Sequence, residues 1–181
     1  MRYITAALFL LLTGCSSQPA SSYYQLPAAP VMAGSAEAEA KSLYIEPVQV
    51  ASYLNGRGLV LQLSDVEMIT ARQHLWAEAL DQQLQRQLRD RIVAQASGYT
   101  AALQARPDTV RVSVQLDQFH GLADGHAIVS GRFAVSAQPG SQPFNIRIAL
   151  ADDGYPALVQ ALGQAVQQLS QQISRQLAGA A

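Results

Sequence analysis

Two long apolar stripes at helical spacing, each preceded by short segments of strand-like alternation, predict an α+β fold. The predicted order is βββ-α-βββ-α: two three-stranded antiparallel meanders, each followed by a helix, with two helices packed on one sheet. A third observation confines this fold to part of the chain. Residues 1–41 hold one hydrophobic run and then a Ser/Ala/Pro-rich stretch without sustained apolar period, so the domain is expected over 42–181.

Leu43 to Val50 is the first expected strand, with Pro47 implying an edge or a bulge because it has no N–H to donate. Asn55-Gly56-Arg57-Gly58 is turn chemistry, and Leu59 to Leu63 and Val66 to Ala71 complete the first meander. Thr70 with Gln73 matches a capping box, after which Trp76, Leu80, Leu84, Leu88 and Ile92 recur every fourth residue and predict a helix. Gly98 is its expected stop.

Val110, Val112, Val114 and Leu116 alternate with polar residues in the clearest strand of the chain. Asp124-Gly125 supplies a hairpin turn into Ala127 to Ala137, where Val129, Phe133 and Val135 share a face. Pro139-Gly140 turns again before Phe144, Ile146, Ile148 and Leu150. The closing helix has Pro156 in its first turn and a stripe of Leu158, Leu162, Val166, Leu169, Ile173 and Leu177.

The N-terminus has the layout of a secretory leader: Arg2, then an apolar run from Tyr3 to Leu12. The run is about half of the ~20 residues a membrane-crossing helix needs. It ends in Leu12-Thr13-Gly14-Cys15, which resembles the bacterial lipobox. Residues 1–14 are therefore expected to be removed and Cys15 to be acylated. Cys15 is the one cysteine of the chain, and a secreted protein rarely keeps a stray thiol, so its sulfur has a use. Two or more fatty chains make membrane attachment effectively permanent. Ser16 follows, not the Asp associated with inner-membrane retention, which favours the outer membrane. Residues 15–41 read as the acylated end and a tether, spanning roughly 25–30 Å as a flexible coil. Tyr23-Tyr24-Gln25-Leu26-Pro27 interrupts it, so Tyr23 and Tyr24 are expected to touch the domain or a partner.

Charge excludes whole classes. The chain carries −1 formally, and loss of Arg2 with the leader leaves −2. Lys41 is the only lysine and no basic run exists, so neither nucleic acid nor a polybasic lipid-binding surface is indicated.

Catalysis finds no constellation. His74, His120 and His126 lack zincin spacing, and no Gly-x-Ser-x-Gly elbow or phosphate-cradling glycine loop is present. His120, Asp124 and His126 could meet across a hairpin as a weak metal site, although a polar turn is the simpler reading. Asp152-Asp153, just before a helix, is better explained by the helix dipole than by acid–base work. No catalytic residue, metal ligand or cofactor is therefore assigned. Trp76 is expected in the core, with a partner-facing anchor as the alternative. Gln82, Gln83, Gln85, Gln87, Gln160, Gln164, Gln167, Gln168, Gln171, Gln172 and Gln176 cover the helices' polar faces; solvated amides or a subunit contact would each explain them.

Taken in order, the lipobox at Cys15, Tyr23-Tyr24-Gln25-Leu26-Pro27, Tyr53-Leu54 with Gly56 and Gly58, and Gln62 with Ser64-Asp65-Val66 form one pattern. Leu75-Trp76-Ala77, Leu80-Asp81-Gln82-Gln83-Leu84, Val129-Ser130-Gly131 and Asp153-Gly154-Tyr155 continue it. The pattern resembles the ABC-type transport auxiliary lipoproteins over nearly the whole chain. Ala79 departs from it, where the family often has proline, and should lengthen or straighten the helix start. The resemblance implies an outer-membrane lipoprotein facing the periplasm, without catalysis. It implies a homo-oligomeric ring that receives a tube-forming MCE-domain protein, which with its inner-membrane partner carries phospholipid across the envelope. The alternative is a stand-alone periplasmic lipoprotein that binds a lipid or small molecule.

Overall fold

The structure, a computed structural model, describes residues 20–29, 40–136 and 138–179. Cys15, the leader and much of the expected tether lie outside the described residues.

The long central strand organises the sheet. This strand, β7 (Val110–Leu122), has β8 (His126–Val135) antiparallel along one edge, and β8 in turn carries β9 (Gln142–Ala149). The other edge of β7 is filled end to end by three short strands, all parallel to it. These are β2 (Lys41–Ile45), β3 (Gln49–Val50) and β4 (Gly58–Gln62). Pro47 and a 3-10 turn at Ser52–Leu54 are the breaks that divide this edge into pieces. Beyond β4 lies β5 (Met68–Trp76), antiparallel, and beyond β5 lies β1 (Ser22–Tyr24), parallel. The short β6 (Tyr99–Ala101) pairs with β2. The result is one mixed sheet of nine strands.

Helix α1 (Leu80–Gln95) lies over β2 and β6, while α2 (Tyr155–Ala178) lies over β7, β8 and β9 and packs on α1. The predicted α2 stripe from Leu158 to Leu177 is buried throughout, as are Leu84, Leu88 and Ile92 of α1. Asp124-Gly125 forms the predicted β7–β8 turn, with Gly125 at φ 79°, a conformation glycine adopts without penalty.

The α+β class holds, and the second half is the expected meander. The first half differs. Because β2, β3 and β4 all run with β7, only β4 and β5 form a hairpin there, and α1 carries the chain from β5, beside β4, to β6, beside β2, two strands that run in opposite directions. The helix also starts later than the Thr70–Gln73 capping box suggests. Residues 70–76 are strand, held between β4 on one side and β1 on the other, and α1 begins only at Leu80. Tertiary pairing overrides a local capping signal here. Ala79 is the N-cap, extended at ψ 133° with no side-chain cap, so alanine does not lengthen the helix.

Candidate anchoring and docking surfaces

The stretch from Ser22 to Ala29 belongs to the folded domain, which corrects the expected boundary at 42. Ser22, Tyr23 and Tyr24 add a strand to β5 opposite His74, Leu75 and Trp76. Leu26 enters the core at 4% exposure. The following residues form a strap over the two helices. The backbone N–H of Leu26 donates to Gln83 Oε1 at 2.5 Å. Pro27 sits on α2 where Gly163 provides the room: a Cβ there would lie 2.6 Å from Pro27 Cδ.

Arg91 on α1 closes this arrangement. Its Nη2 donates to the carbonyl oxygens of Pro27 (2.6 Å) and Ala28 (3.4 Å), its Nη1 to Gln167 Oε1 of α2 (2.5 Å) and its Nε to Gln87 Oε1 (3.2 Å). The residue is buried and no carboxylate faces it among the described residues; burial lowers its pKa. The planar fork lets one cation hold four neutral acceptors in fixed directions, which lysine cannot do. Part of the expected glutamine-covered face is thus internal: Gln83 and Gln87 are buried, and Gln167 is half-buried. Gln82, Gln160, Gln164, Gln168 and Gln171 remain on the surface.

The two tyrosines divide in role. Tyr24 is half-buried, its hydroxyl 2.9 Å from His74 Nδ1, and the His74 ring stacks on Tyr155 with centroids 4.0 Å apart. Tyr23 points outward at 60% exposure. Trp76 is 4% exposed at the end of β5, near Phe119. The structure gives it the core role and leaves no exposed indole for a partner to grip.

The polar turn does not assemble a metal site. His126 Nδ1 lies 3.0 Å from Asp124 Oδ1, and Arg147 also binds Asp124. His120 stays apart, buried under Tyr53 with Nδ1 3.1 Å from the Gly121 carbonyl. Burial pushes the His120 imidazole below its ordinary pKa, the Gly121 hydrogen bond opposing. Among the described residues no group of three or more His, Cys, Asp or Glu could hold a metal. Asp152 and Asp153 are exposed ahead of Gly154, the N-cap of α2.

A shallow groove of about 170 Å³ lies on the sheet between Glu46, Gln49, Gln115, Arg132 and Phe133. Ligand pockets for organic molecules usually exceed about 300 Å³, so this groove is small for a lipid tail. Elsewhere the β4–β5 hairpin tip exposes Leu63, Val66, Met68 and Ile69. Among the described residues no helix is long and apolar enough to cross a membrane.

Residues 24–174 match the family described as the ABC-type transport auxiliary lipoprotein component. The chain belongs to this family. It is similar to the intermembrane transport lipoprotein PqiC of Escherichia coli K12, with 35% identity over 170 residues and 89% of each chain covered. The PqiC of Shigella flexneri matches equally. A crystal structure of a protein described only as uncharacterized shares 34% identity and superposes with a TM-score of 0.78, covering 88% of this chain and 99% of that one. A second crystal structure, of XCC0632 from Xanthomonas campestris, has a TM-score of 0.59 at 12% identity over 85% of this chain and 93% of that one, a likeness of fold alone.

The family is one of envelope lipoproteins serving transport, which agrees with the lipobox. Sequence reasoning missed Arg91 and Gly163. Glycine inside a helix costs roughly 0.5–1 kcal/mol against alanine, so Gly163 could have been read as a mark of close approach. Arg91 beside the buried Ile92 carried no comparable signal.

Proposed function

We propose that this chain is an outer-membrane lipoprotein of an MCE-type intermembrane lipid transport system, with a structural and docking role and no catalysis. The observation that carries the reading is the match to the intermembrane transport lipoprotein PqiC across 89% of both chains. The lipobox ending at Cys15, with Ser16 after it, supports acylation and the outer membrane.

On this reading Cys15 holds the fatty chains and the clamped strap fixes where the anchor leaves the domain. Copies of the chain form a ring that receives the far end of a tube-forming MCE-domain protein, whose other end meets its inner-membrane partner. Surface glutamines of the helices, together with Tyr23, are the side chains offered to neighbours; a neutral amide can be buried at lower cost than a charge.

Intact-mass analysis of the membrane-extracted chain, with sucrose-gradient fractionation and sizing in detergent, tests this. The expected result is a triacylated chain starting at Cys15, in the outer-membrane fraction, larger than a monomer. An unmodified thiol at Cys15, or a monomer in the inner-membrane fraction, contradicts it.

A further inference from the structure

We propose that the tip of the β4–β5 hairpin is a second membrane contact, seated in the headgroup layer of the same leaflet that holds the Cys15 acyl chains. The proposal rests on the acylation assigned above and adds a surface to it.

The tip exposes four large apolar side chains around Ser64, Asp65 and Glu67. Val66 at its apex is 94% exposed, and Leu63, Met68 and Ile69 are 40–43% exposed. Pairing places these side chains on both faces. Leu61 lies opposite Ile69 and Gln62 opposite Met68, while the Leu63 N–H donates to the Glu67 carbonyl, so Leu63 shares the Ile69 face and Met68 the other. A hairpin that docks on a flat protein surface needs one apolar face. Apolar chains on both faces and the apex suit a medium that surrounds them.

Chain length identifies that medium. β1 runs parallel to β5, so the polypeptide reaches Ser22 from the side on which β5 begins, the side of the hairpin tip. Seven residue steps separate Cys15 from Ser22. At 3.3–3.6 Å per step at most, the acylated residue lies within about 25 Å of Ser22. The strap clamped by Arg91 prevents the rest of the N-terminal segment from lengthening this reach. Ser22 pairs with His74, six residues past Met68 and about 20 Å of strand from it, so a span of up to about 25 Å lets the bilayer reach the tip end of the sheet, where the apolar chains are uncovered.

Asp65 and Glu67 flank Val66 and set the depth. Carboxylates are tolerated at the headgroup level and not in the hydrocarbon, so the contact is interfacial, and it favours zwitterionic over anionic lipid. Leu103, 77% exposed in the β6–β7 loop, lies near the other end of β7 from the hairpin tip.

The test uses the acylated full chain carrying Val66→Cys. Cys15 sulfur is consumed by its thioether, so a nitrobenzoxadiazole label goes to position 66 alone, and the apex substitution leaves the core untouched. Leu103→Cys is the matched control. In phosphatidylethanolamine/phosphatidylcholine vesicles, the position-66 label should shift to the blue and lose about half or more of its emission to brominated lipid, as expected for a side chain 5–10 Å into the interface. The position-103 label should stay open to aqueous iodide. Overturning results are a position-66 label that iodide reaches as readily as position 103, or one shielded from iodide yet untouched by brominated lipid, which would mean a second copy covers the tip. Flotation and intact mass read the anchor separately. If the chain proves unacylated both readings fall, and if it is acylated but unquenched the tip contact alone falls.

Discussion

The guanidinium of Arg91 donates to the carbonyl oxygen of Pro27 at 2.6 Å and ties the C-terminal part of α1 to a segment 64 residues earlier. The same side chain reaches Gln167 on α2, so one cation joins strap and both helices. The contact and the pairing of β1 make residues 22–29, expected as tether, part of the domain.

Arg91→Met removes the donors to Pro27, Ala28, Gln87 and Gln167. Buried acceptors left without donors cost about 1–3 kcal/mol each in the extreme, and relaxation recovers part, so a loss of about 2–4 kcal/mol in urea unfolding is expected. Limited proteolysis should open new cuts in residues 25–29. Arg91→Lys should recover only part of the loss, since an ammonium lacks the planar fork. Unchanged stability and cleavage would mean the clamp holds nothing.

Gly163→Leu drives a side chain into Pro27 and should cost about 1–3 kcal/mol. Combined with Arg91→Met the loss should be smaller than the sum, because both variants release the same strap. Strict additivity in the denaturation cycle would separate the two contacts.

Gly131 packs its backbone against β7, where a Cβ would lie 2.0 Å from the Gln115 carbonyl oxygen, next to the bulge at Leu116–Gln118. Backbone cannot swing aside as a side chain can. Gly131→Ala should therefore destabilise the domain by about 3 kcal/mol, seen as a lowered thermal midpoint. Gly56→Ala, in open space, should change little.

His120 gives a pH dependence of known sign. Burial lowers its pKa in the folded state, so from the ordinary value near 6.5 downward the unfolded chain binds the proton first. Stability from this residue is complete above that value and is lost as pH falls through the lower folded pKa. Urea midpoints measured from about pH 8 to 5 should decline, and His120→Asn should flatten the decline near and below 6.5. An equal slope in both proteins would contradict the burial effect.

The legible parts of the fold were those with strong periodicity. The β7–β8–β9 meander and α2 follow directly from alternation at Val110–Leu116 and the stripe from Leu158 to Leu177. The strand partners of β2, β3 and β4 were not legible, since alternation shows which face is buried and not which neighbour lies alongside. Trp76 misled for a physical reason: it ends a strand four residues before Leu80 begins a helix, so the stripe appeared continuous. Around the candidate surface, Tyr23 and Tyr24 were visible as anomalies in a linker. Their division into an outward and an inward residue, and the carbonyls that Arg91 holds, depend on contacts distant in sequence.

Tagging the chain at its C-terminus and extracting it from envelopes in mild detergent tests the transport role most directly. An MCE-domain protein should be recovered with the tagged chain, and Cys15→Ser should release the chain from the membrane fraction. Recovery of the acylated chain without any such partner, under extraction that keeps other envelope complexes whole, would contradict the transport reading.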